Sequence, residues 1–372
     1  MNDRVFSYFH VTPDDAQWRD WKWQYRNRIT DADTLAQVIS LDDAERQGIS
    51  HCLDTFRMAI TPYFASLMDP NDPMCPLRMQ AVPSVEETRI LPWENKDPLN
   101  EEGDSPVPHI VHRYPDRVLF LVTRQCAMYC RHCIRKARMG EEDFYINEKE
   151  KETAISYIAR TPQVRDVLIS GGDPLTMDDG HLEDIVKRLR AIKHVEVIRI
   201  GTRVPAVMPM RITQDLLNML RKYHPVWINT QFNHPGELAP EALEACAHIV
   251  DTGIPLGNQS VLLRNINDSA ETMKALLLGL VKARIRPYYL YQCDMCEGSG
   301  HFRTRVETGI EIIRRLTGNI SGFAVPKFVI DAPGGGGKIP INPEYVLSMD
   351  DEKVVMRNYK GEVYTYFQPG EA

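Results

Sequence analysis

Short apolar, β-branched runs alternate with amphipathic stretches through most of the chain. Seven such runs begin near Val118, Val167, Val197, Val226, Leu256, Tyr288 and Ala324. From the second run to the sixth their starts lie roughly thirty residues apart, the length of one strand, one helix and two loops. The stretches between them carry apolar residues at helical spacing, which predicts helices packed on a parallel sheet. We therefore expect an α/β fold, an open partial (βα)6 barrel with its active site at the carboxyl ends of the strands.

The remaining segments flank this predicted barrel. From Gln17 to Met68 the pattern predicts helices, with Ser40 and Asp42 as capping residues. Prolines recur between Asp69 and Asp116, which predicts an extended connector without long regular elements. Further β-type runs near the end predict a small β-rich C-terminal tail. The expected domains are a helical N-terminal region (1–68), a proline-rich connector (69–116), the barrel (117–338) and the tail (339–372).

Composition and charge favour a protein that handles a small molecule. Hydrophobic residues make up 43% of the 372 positions, and the formal net charge is -7 with both signs interspersed. This balance argues against binding to nucleic acid or to anionic lipid. No apolar run reaches the roughly 18 residues of a membrane span, and the first residues lack the layout of a secretory signal. We expect a cytoplasmic protein with neither nucleic-acid nor membrane partners.

Three of the eight cysteines lie close together directly after the first predicted strand, as Cys126-Ala-Met-Tyr-Cys130-Arg-His-Cys133. They are too close for a relaxed disulfide framework. Three thiolates in one tight loop can hold an iron-sulfur cluster, and a four-iron cluster held in this way keeps one iron open. The alternatives are a zinc site or buried free thiols. A zinc site usually needs four ligands, so the pattern favours the cluster.

Two glycine-rich segments lie at predicted strand ends. The first, Ser-Gly-Gly-Asp at 170–173, would let the backbone approach a ligand closely, although an ordinary turn also fits. The second runs from Pro333 to Lys338 and contains four consecutive glycines. It is not a nucleotide-binding P-loop, because Ile339 follows the lysine where that motif needs a hydroxyl. A lysine at such a place can form a Schiff base, or it can be a solvated residue of a flexible hairpin.

The combination of CxxxCxxC with DAPGGGGK resembles the lysine 2,3-aminomutase family of radical S-adenosylmethionine enzymes. The resemblance also covers DWKWQYRNRI, RMAITPYF, DSPVPHIVHRYPDRV, TPQVRDVLISGGD, KYHPVWINT, PLGNQSVLLRN and RPYYLYQCD. It implies a barrel of the radical S-adenosylmethionine type that binds a 4Fe-4S cluster, S-adenosyl-L-methionine and pyridoxal 5′-phosphate. The matching residues are Cys126, Cys130 and Cys133 for the cluster, Gly171, Gly172 and Asp173 for S-adenosylmethionine, Lys338, Arg113 and Tyr114 for pyridoxal phosphate, and Arg135, Asp294 and Asp331 for the substrate.

The resemblance also implies the reaction. In this family an external one-electron reductant starts radical chemistry that moves an amino group between adjacent carbons. Asp294 and Asp331 match aspartates that hold the remote ammonium of lysine, whereas glutamate-specific relatives carry lysine and asparagine there. The expected activity is therefore an isomerase that converts L-lysine to L-β-lysine. The alternatives are arginine, glutamate or a protein-bound lysine as substrate, and a non-catalytic iron-sulfur protein.

The chain departs from the family pattern at several positions. Ser269 stands where clostridial members have a zinc-binding cysteine, and the sequence has no cysteine-rich C-terminal tail. We expect no such zinc, and a homodimer or homotetramer. Gln231 replaces a histidine, which could signal a shifted substrate such as arginine. The CxxC at 293–296 is expected to be a packing feature, and Lys136 and Arg138 are expected to be solvated.

Overall fold

A computed structural model describes residues 2–139 and 145–369. Its main feature is a nine-stranded sheet with the strands in chain order. Strands β2 to β8 are parallel to one another, and β1 and β9 pair antiparallel at the two ends. The strands are β1 (Ile110–Tyr114), β2 (Arg117–Thr123), β3 (Asp166–Gly171), β4 (Val197–Gly201), β5 (Val226–Thr230), β6 (Leu256–Leu262), β7 (Arg286–Gln292), β8 (Lys327–Ala332) and β9 (Gly337–Pro340).

The seven apolar runs identified in the sequence are strands β2 to β8, and within the described residues a helix follows each of the first six. Among the described residues, seven α-helices precede the barrel, so the barrel helices are numbered from α8. The barrel helices are α8 (Glu148–Ala159), α9 (Asp179–Arg190), α10 (Val204–Val207), α11 (Gln214–Arg221), α12 (Pro240–Asp251), α13 (Ala270–Lys282) and α14 (Val306–Leu316). The predicted partial barrel of six βα units is confirmed. Because parallel strands end at one edge, their carboxyl-terminal loops meet there.

The N-terminal part of the chain is helical and packs on the barrel. Its helices are α1 (Asp3–Phe9), α2 (Ala16–Arg19), α3 (Trp21–Arg26), α4 (Ala32–Val38), α5 (Asp43–Leu53), α6 (Pro62–Ser66) and α7 (Pro76–Ala81). Trp18 and Tyr63 are buried in the same hydrophobic core as Phe120 of β2. Asp42 caps α5 through a capping box with Glu45.

Ser40 does not cap a helix, contrary to the sequence-based expectation. It lies two positions before the Asp42 cap, too far to reach the first free amides of α5. Its hydroxyl instead donates to Asn71 at 3.0 Å and accepts from Arg4 at 2.9 Å.

The segment between Asp69 and Asp116 contains α7, a 3-10 turn at Val85–Thr88 and strand β1. Pro76 occupies the first turn of α7, where a missing amide proton costs nothing. Several polar side chains of the segment between Asp69 and Asp116 are buried, among them Gln80 and Glu87. This segment therefore contributes contacts to the interior as well as to the surface.

The chain ends in a second, smaller sheet, which confirms the predicted β-rich tail. Strands β10 (Val346–Met349), β11 (Lys353–Arg357) and β12 (Val363–Phe367) pair antiparallel. None of the described helices combines the length and the apolar character needed to cross a membrane.

Candidate active site

A cavity of about 570 Å³ opens where the carboxyl ends of the parallel strands meet. This volume is within the range of sites that bind cofactors and drug-sized molecules. The cavity is lined by every residue that the sequence singled out as a site residue: Arg113, Tyr114, Cys126, Cys130, Cys133, Arg135, Gly171, Gly172, Asp173, Asp294, Asp331 and Lys338. Residues that are more than two hundred positions apart therefore share one chamber.

The three clustered cysteines lie on the loop that follows β2. All eight cysteines of the chain are free thiols. Two arginines hold the loop in place. Arg28 donates to the carbonyl of Cys126, and Arg203 donates from Nη1 to the Cys130 sulfur at 2.8 Å. Cys133 accepts at its sulfur from the amide of Arg135 at 3.4 Å. These hydrogen bonds fix the shape of the loop.

The local environment disfavours bare thiolates in this loop. Desolvation raises the pKa of Cys126 well above its usual range, and the nearby Asp173, Cys133 and Cys130 add to the rise. Desolvation also raises the pKa of Cys133, again with a contribution from Cys130. Thiolates at such a place need a metal centre to supply positive charge and displace their protons.

The cysteine loop supplies three thiols, one ligand fewer than a closed zinc site uses. Among the described residues, no three histidine, cysteine, aspartate or glutamate side chains converge closely enough to hold one metal ion. A four-iron cluster has no such requirement, because each thiolate ligates a different iron. Three thiols on one loop match the ligand set of a four-iron cluster that keeps one iron open.

A buried ion network joins Glu87 to Arg131, which lies between two of the clustered cysteines, and to Lys136, which follows the last of them. The Glu87 carboxylate is fully buried and accepts from Arg131 at 2.6 and 2.9 Å and from Lys136 Nζ at 3.0 Å. Lys136 also donates to the carbonyl of Gly298 at 2.6 Å. The expectation that Lys136 is solvated is wrong, because Lys136 is buried against Glu87. The sequence around Lys136 does not reveal this partner, which lies 49 positions away in the chain. Arg138 is partly exposed and pairs with acidic side chains.

The glycine segment at the end of β3 packs directly against the cysteine loop. Gly171 has φ +134°, and a Cβ there would overlap the carbonyl oxygen of Thr123. The amide of Asp173 donates to the carbonyl of Gln125 at 2.7 Å. Only glycine fits this contact, so the segment and the loop form one backbone unit.

The Asp173 side chain is fully engaged with the loop after β4. Its carboxylate accepts from Thr202 Oγ1 and from the amide of Arg203, both at 2.7 Å, and from the amide of Leu175 at 3.0 Å. Burial raises its pKa, although these hydrogen bonds oppose the rise. Asp173 thereby positions Arg203, the residue that contacts Cys130.

Lys338 lies on β9 directly opposite Asp331 on β8. Its Nζ lies 2.9 and 3.2 Å from the two carboxylate oxygens of Asp331 and 5.2 Å from the ring centre of Tyr291. Its amide donates to the Tyr114 hydroxyl at 3.0 Å. The glycine loop is thus anchored at its lysine end, and the interpretation as a flexible solvated hairpin is not supported.

Asp294 follows β7 and lines the cavity together with Asp331. Burial raises its pKa to about 7, and the negative charge of Asp331 adds to the rise. Lys338 and Arg303 oppose the shift. Two carboxylates in one poorly solvated pocket repel each other, so a bound cation would stabilise the pair.

The two arginines proposed from the sequence are each held by an acidic residue of one short segment. Arg113 donates from Nε to Asp104 at 2.7 Å. Arg135 donates from Nε to Glu101 at 2.8 Å, and its Nη2 pairs with the other oxygen of that carboxylate. Planar guanidinium groups held in this way can present their remaining N–H groups to an anion.

Sequence reasoning did not identify the residues that support the site. These are Arg28, Glu87, Glu101, Asp104 and Arg203. Most lie outside the motifs and acquire a role only through contacts with distant segments. Arg28 and Asp104 lie within the segments DWKWQYRNRI and DSPVPHIVHRYPDRV. The TRVP sequence directly after β4 was a local signal for Arg203, because a basic residue at a strand end faces the active edge of such a barrel.

The positions that depart from the family pattern lie in three different environments. Gln231 lines the cavity and contacts His132 Nε2 at 3.1 Å. Cys293 and Cys296 are buried, as the packing interpretation predicts. Ser269 caps α13 by accepting from the amide of Thr272 at 3.1 Å.

Comparison with known proteins agrees with the family resemblance found in the sequence. A family model described as lysine-2,3-aminomutase matches residues 313–372, and one described as the radical SAM superfamily matches residues 120–277. The L-lysine 2,3-aminomutase of Acetoanaerobium sticklandii is 56% identical over 99% of this chain and 88% of its own length. That of Clostridium subterminale is 54% identical over 95% of this chain and 85% of its own. The glutamate 2,3-aminomutase of Clostridioides difficile is 43% identical over 97% and 85%.

Proposed function

Because the chain belongs to the lysine 2,3-aminomutase family, we propose that it is a radical S-adenosylmethionine and pyridoxal phosphate-dependent isomerase that converts L-lysine to L-β-lysine. One observation carries the proposal. The three clustered thiols, the glycine segment, Lys338 and two aspartates line a single cavity of about 570 Å³. A reaction that needs two cofactors to touch one amino acid requires such a shared chamber.

The residues present fit the cofactors. Cys126, Cys130 and Cys133 would hold a 4Fe-4S cluster, and Gly171 and Gly172, which line the cavity beside the cysteine loop, would border the methionine end of S-adenosylmethionine. When bound, the cluster with S-adenosylmethionine supplies a carbon radical, and pyridoxal phosphate supplies a conjugated π-system for the migrating nitrogen.

Lys338 is the proposed attachment point of pyridoxal phosphate. Its side chain lines the cavity, and Asp331 and Tyr114 fix its position. Arg113 and Tyr114 would bind the cofactor, since a guanidinium braced along one edge suits a phosphate.

The charge distribution of the cavity supports lysine as the substrate. Arg135 would bind the α-carboxylate, and Asp294 with Asp331 would bind the remote ammonium. Asp331 is buried and Asp294 lies beside it, so a glutamate side chain placed there would add a further negative charge without a partner. Such a mispaired charge costs several kcal/mol, which disfavours glutamate.

The partners proposed from the sequence are an external one-electron reductant and further copies of the same chain. Cleavage of S-adenosylmethionine consumes an electron that a lysine substrate does not supply. Met349, Tyr366 and Phe367 of the C-terminal sheet are more than 60% exposed, which supports self-association into a homodimer or homotetramer. Light scattering of the purified protein tests the oligomeric state.

The experiment that tests the function is anaerobic reconstitution with iron, sulfide and pyridoxal phosphate, followed by incubation with L-lysine, S-adenosylmethionine and dithionite. We expect β-lysine, detected by NMR. Arginine, glutamate and a lysine-containing peptide are assayed in parallel. Turnover of one of these without β-lysine formation would contradict the proposed substrate.

Two variants separate the roles of the cofactors. Lys338→Ala should lose the pyridoxal absorbance band and keep the iron content, whereas Cys126→Ala should lose iron and keep the pyridoxal band. Neither variant should form β-lysine. A pyridoxal band that survives in Lys338→Ala would contradict the assignment of this lysine.

A further inference from the structure

We propose that Glu101 is a positioning residue that aligns Arg135 for the substrate carboxylate and thereby selects amino acids over simple amines. This inference rests on the proposed function, because it takes Arg135 as the residue that binds the carboxylate. Glu101 lies outside every motif identified in the sequence. The geometry of the pair carries the argument.

Glu101 binds one edge of the Arg135 guanidinium. Nε donates to Oε2 at 2.8 Å, and Nη2 pairs with Oε1. A guanidinium carries five N–H groups, and this contact uses two of them along one side. Nη1 lies at the opposite side, 3.5 Å from the carbonyl oxygen of Gly171. The end formed by Nη1 and Nη2 can therefore still form a paired contact with a second carboxylate.

Burial strengthens this arrangement. The Glu101 side chain is 7% exposed and that of Arg135 is 17% exposed. Burial acts to raise the pKa of Glu101, but attraction by Arg135 outweighs it and the pKa is lowered. Glu101 is therefore ionised at neutral pH and keeps Arg135 in one orientation. An arginine aligned in advance loses less side-chain freedom when the substrate binds.

The backbone around Glu101 is itself fixed. The Asp97 carboxylate accepts from the amides of Glu101 and Glu102, each at 2.9 Å. The amide of Gly334, in the glycine loop, donates to the carbonyl of Pro98 at 2.9 Å. One turn of the connector thus ties Arg135 to the loop that carries Lys338. Glu101 is held in place and is not expected to swing away from Arg135.

An opposing hypothesis makes Glu101 a competitor that the substrate must displace from Arg135. The two hypotheses predict opposite effects when the charge of Glu101 is removed. If Glu101 aligns Arg135, the substrate carboxylate binds more weakly to the variant. If Glu101 competes, the substrate carboxylate binds more tightly.

The test compares two ligands that differ only in the carboxylate. L-Lysine and cadaverine, which is lysine without its carboxyl group, are radiolabelled. Their binding is measured by anaerobic equilibrium dialysis against protein that contains the cluster and pyridoxal phosphate, without S-adenosylmethionine or reductant. For Glu101→Gln we expect lysine to bind about tenfold more weakly, the loss typical of one charged hydrogen bond, and cadaverine to bind as before.

Two further variants complete the design. Glu102→Gln is the matched control, because Glu102 is the neighbouring, 78% exposed carboxylate that pairs with Arg138. It should leave both affinities unchanged. Glu101→Asp keeps the charge but shortens the side chain, and should weaken lysine binding alone. If Glu101→Gln does not fold, Glu101→Asp provides the same comparison of lysine with cadaverine.

Tighter lysine binding by Glu101→Gln, or an equal loss for lysine and cadaverine, would overturn the inference. These outcomes differ from a failure of the proposed function. If the proposed function were wrong, the unaltered protein itself would bind lysine no better than cadaverine.

Discussion

Asp331 and Lys338 face each other across the last antiparallel pair of the barrel sheet, and their side chains form an ion pair with Nζ 2.9 Å from the nearer carboxylate oxygen. Asp331 is 7% exposed. In the proposed function the same carboxylate binds the ammonium of the substrate. Attachment of pyridoxal phosphate would remove the ammonium of Lys338, so cofactor loading should free Asp331 for the substrate.

The first prediction concerns this exchange. 6-Aminohexanoate has the carboxylate and the remote ammonium of lysine but no α-amine, so a ligand bound in the orientation of lysine presents no amine to the cofactor. We expect it to bind the pyridoxal phosphate-loaded protein about tenfold more tightly than the cofactor-free protein, because Lys338 no longer occupies Asp331. Isothermal titration calorimetry measures both affinities.

The matched variant for this prediction is Asp331→Asn. It should bind 6-aminohexanoate weakly in both states, with a ratio near one. Equal affinities of the unaltered protein with and without the cofactor would show that Lys338 and the ligand do not share Asp331.

The second prediction concerns pH. Burial, with help from Asp331, raises the pKa of Asp294 to about 7. An ammonium binds the ionised carboxylate, so below that pH a proton must first leave Asp294. The affinity of the cofactor-free protein for 6-aminohexanoate should fall as the pH drops below 7, approaching about tenfold per pH unit, and should level off above it.

The ligand itself does not titrate in this range, since its carboxyl and amine have pKa values of about 4 and about 10. Asp294→Asn should bind more weakly and lose the pH dependence. A pH dependence that persists in this variant would assign the titration to another group.

The third prediction concerns the ion network of Glu87, Arg131 and Lys136. Glu87→Gln would leave the cations of Arg131 and Lys136 without their buried partner. We expect the free energy of unfolding to fall by about 3–5 kcal/mol, measured by urea unfolding of the metal-free protein. Iron retained after reconstitution should also decrease, because both cations lie on the cysteine loop. Asp251→Asn, which breaks an exposed pair with Arg284, should change neither quantity.

The fourth prediction concerns the contact between the glycine segment and the cysteine loop. Gly171→Ala would place a methyl group against the carbonyl of Thr123 at a φ of +134°. We expect a loss of about 1–3 kcal/mol in stability and weaker S-adenosylmethionine binding in equilibrium dialysis. Gly322→Ala is the control, because a Cβ there meets nothing within 4 Å. Unchanged S-adenosylmethionine binding in Gly171→Ala would argue against a role for this backbone in the site.

Much of the fold could be predicted because it depends on local pattern. The strand that ends in Gly171 and the one that ends in Gly201 are visible as apolar runs, and helix α9 between them is visible as a 3.6-residue period. Ser40 shows where this reasoning fails. Its residue type suits a cap, but its distance from the first turn of α5 decides otherwise.

The sequence by itself determined the barrel, the cysteine loop and the lysine at the end of the glycine loop, because a motif carries its spacing and its chemistry within a few residues. Only the tertiary structure decided which charges meet. Glu101 and Arg135 are 34 positions apart, and Glu87 and Lys136 are 49 positions apart. An ion pair depends on distance and burial in space, and neither can be read from the residues that flank each partner. For this reason Lys136 appeared solvated in the sequence and is buried in the fold.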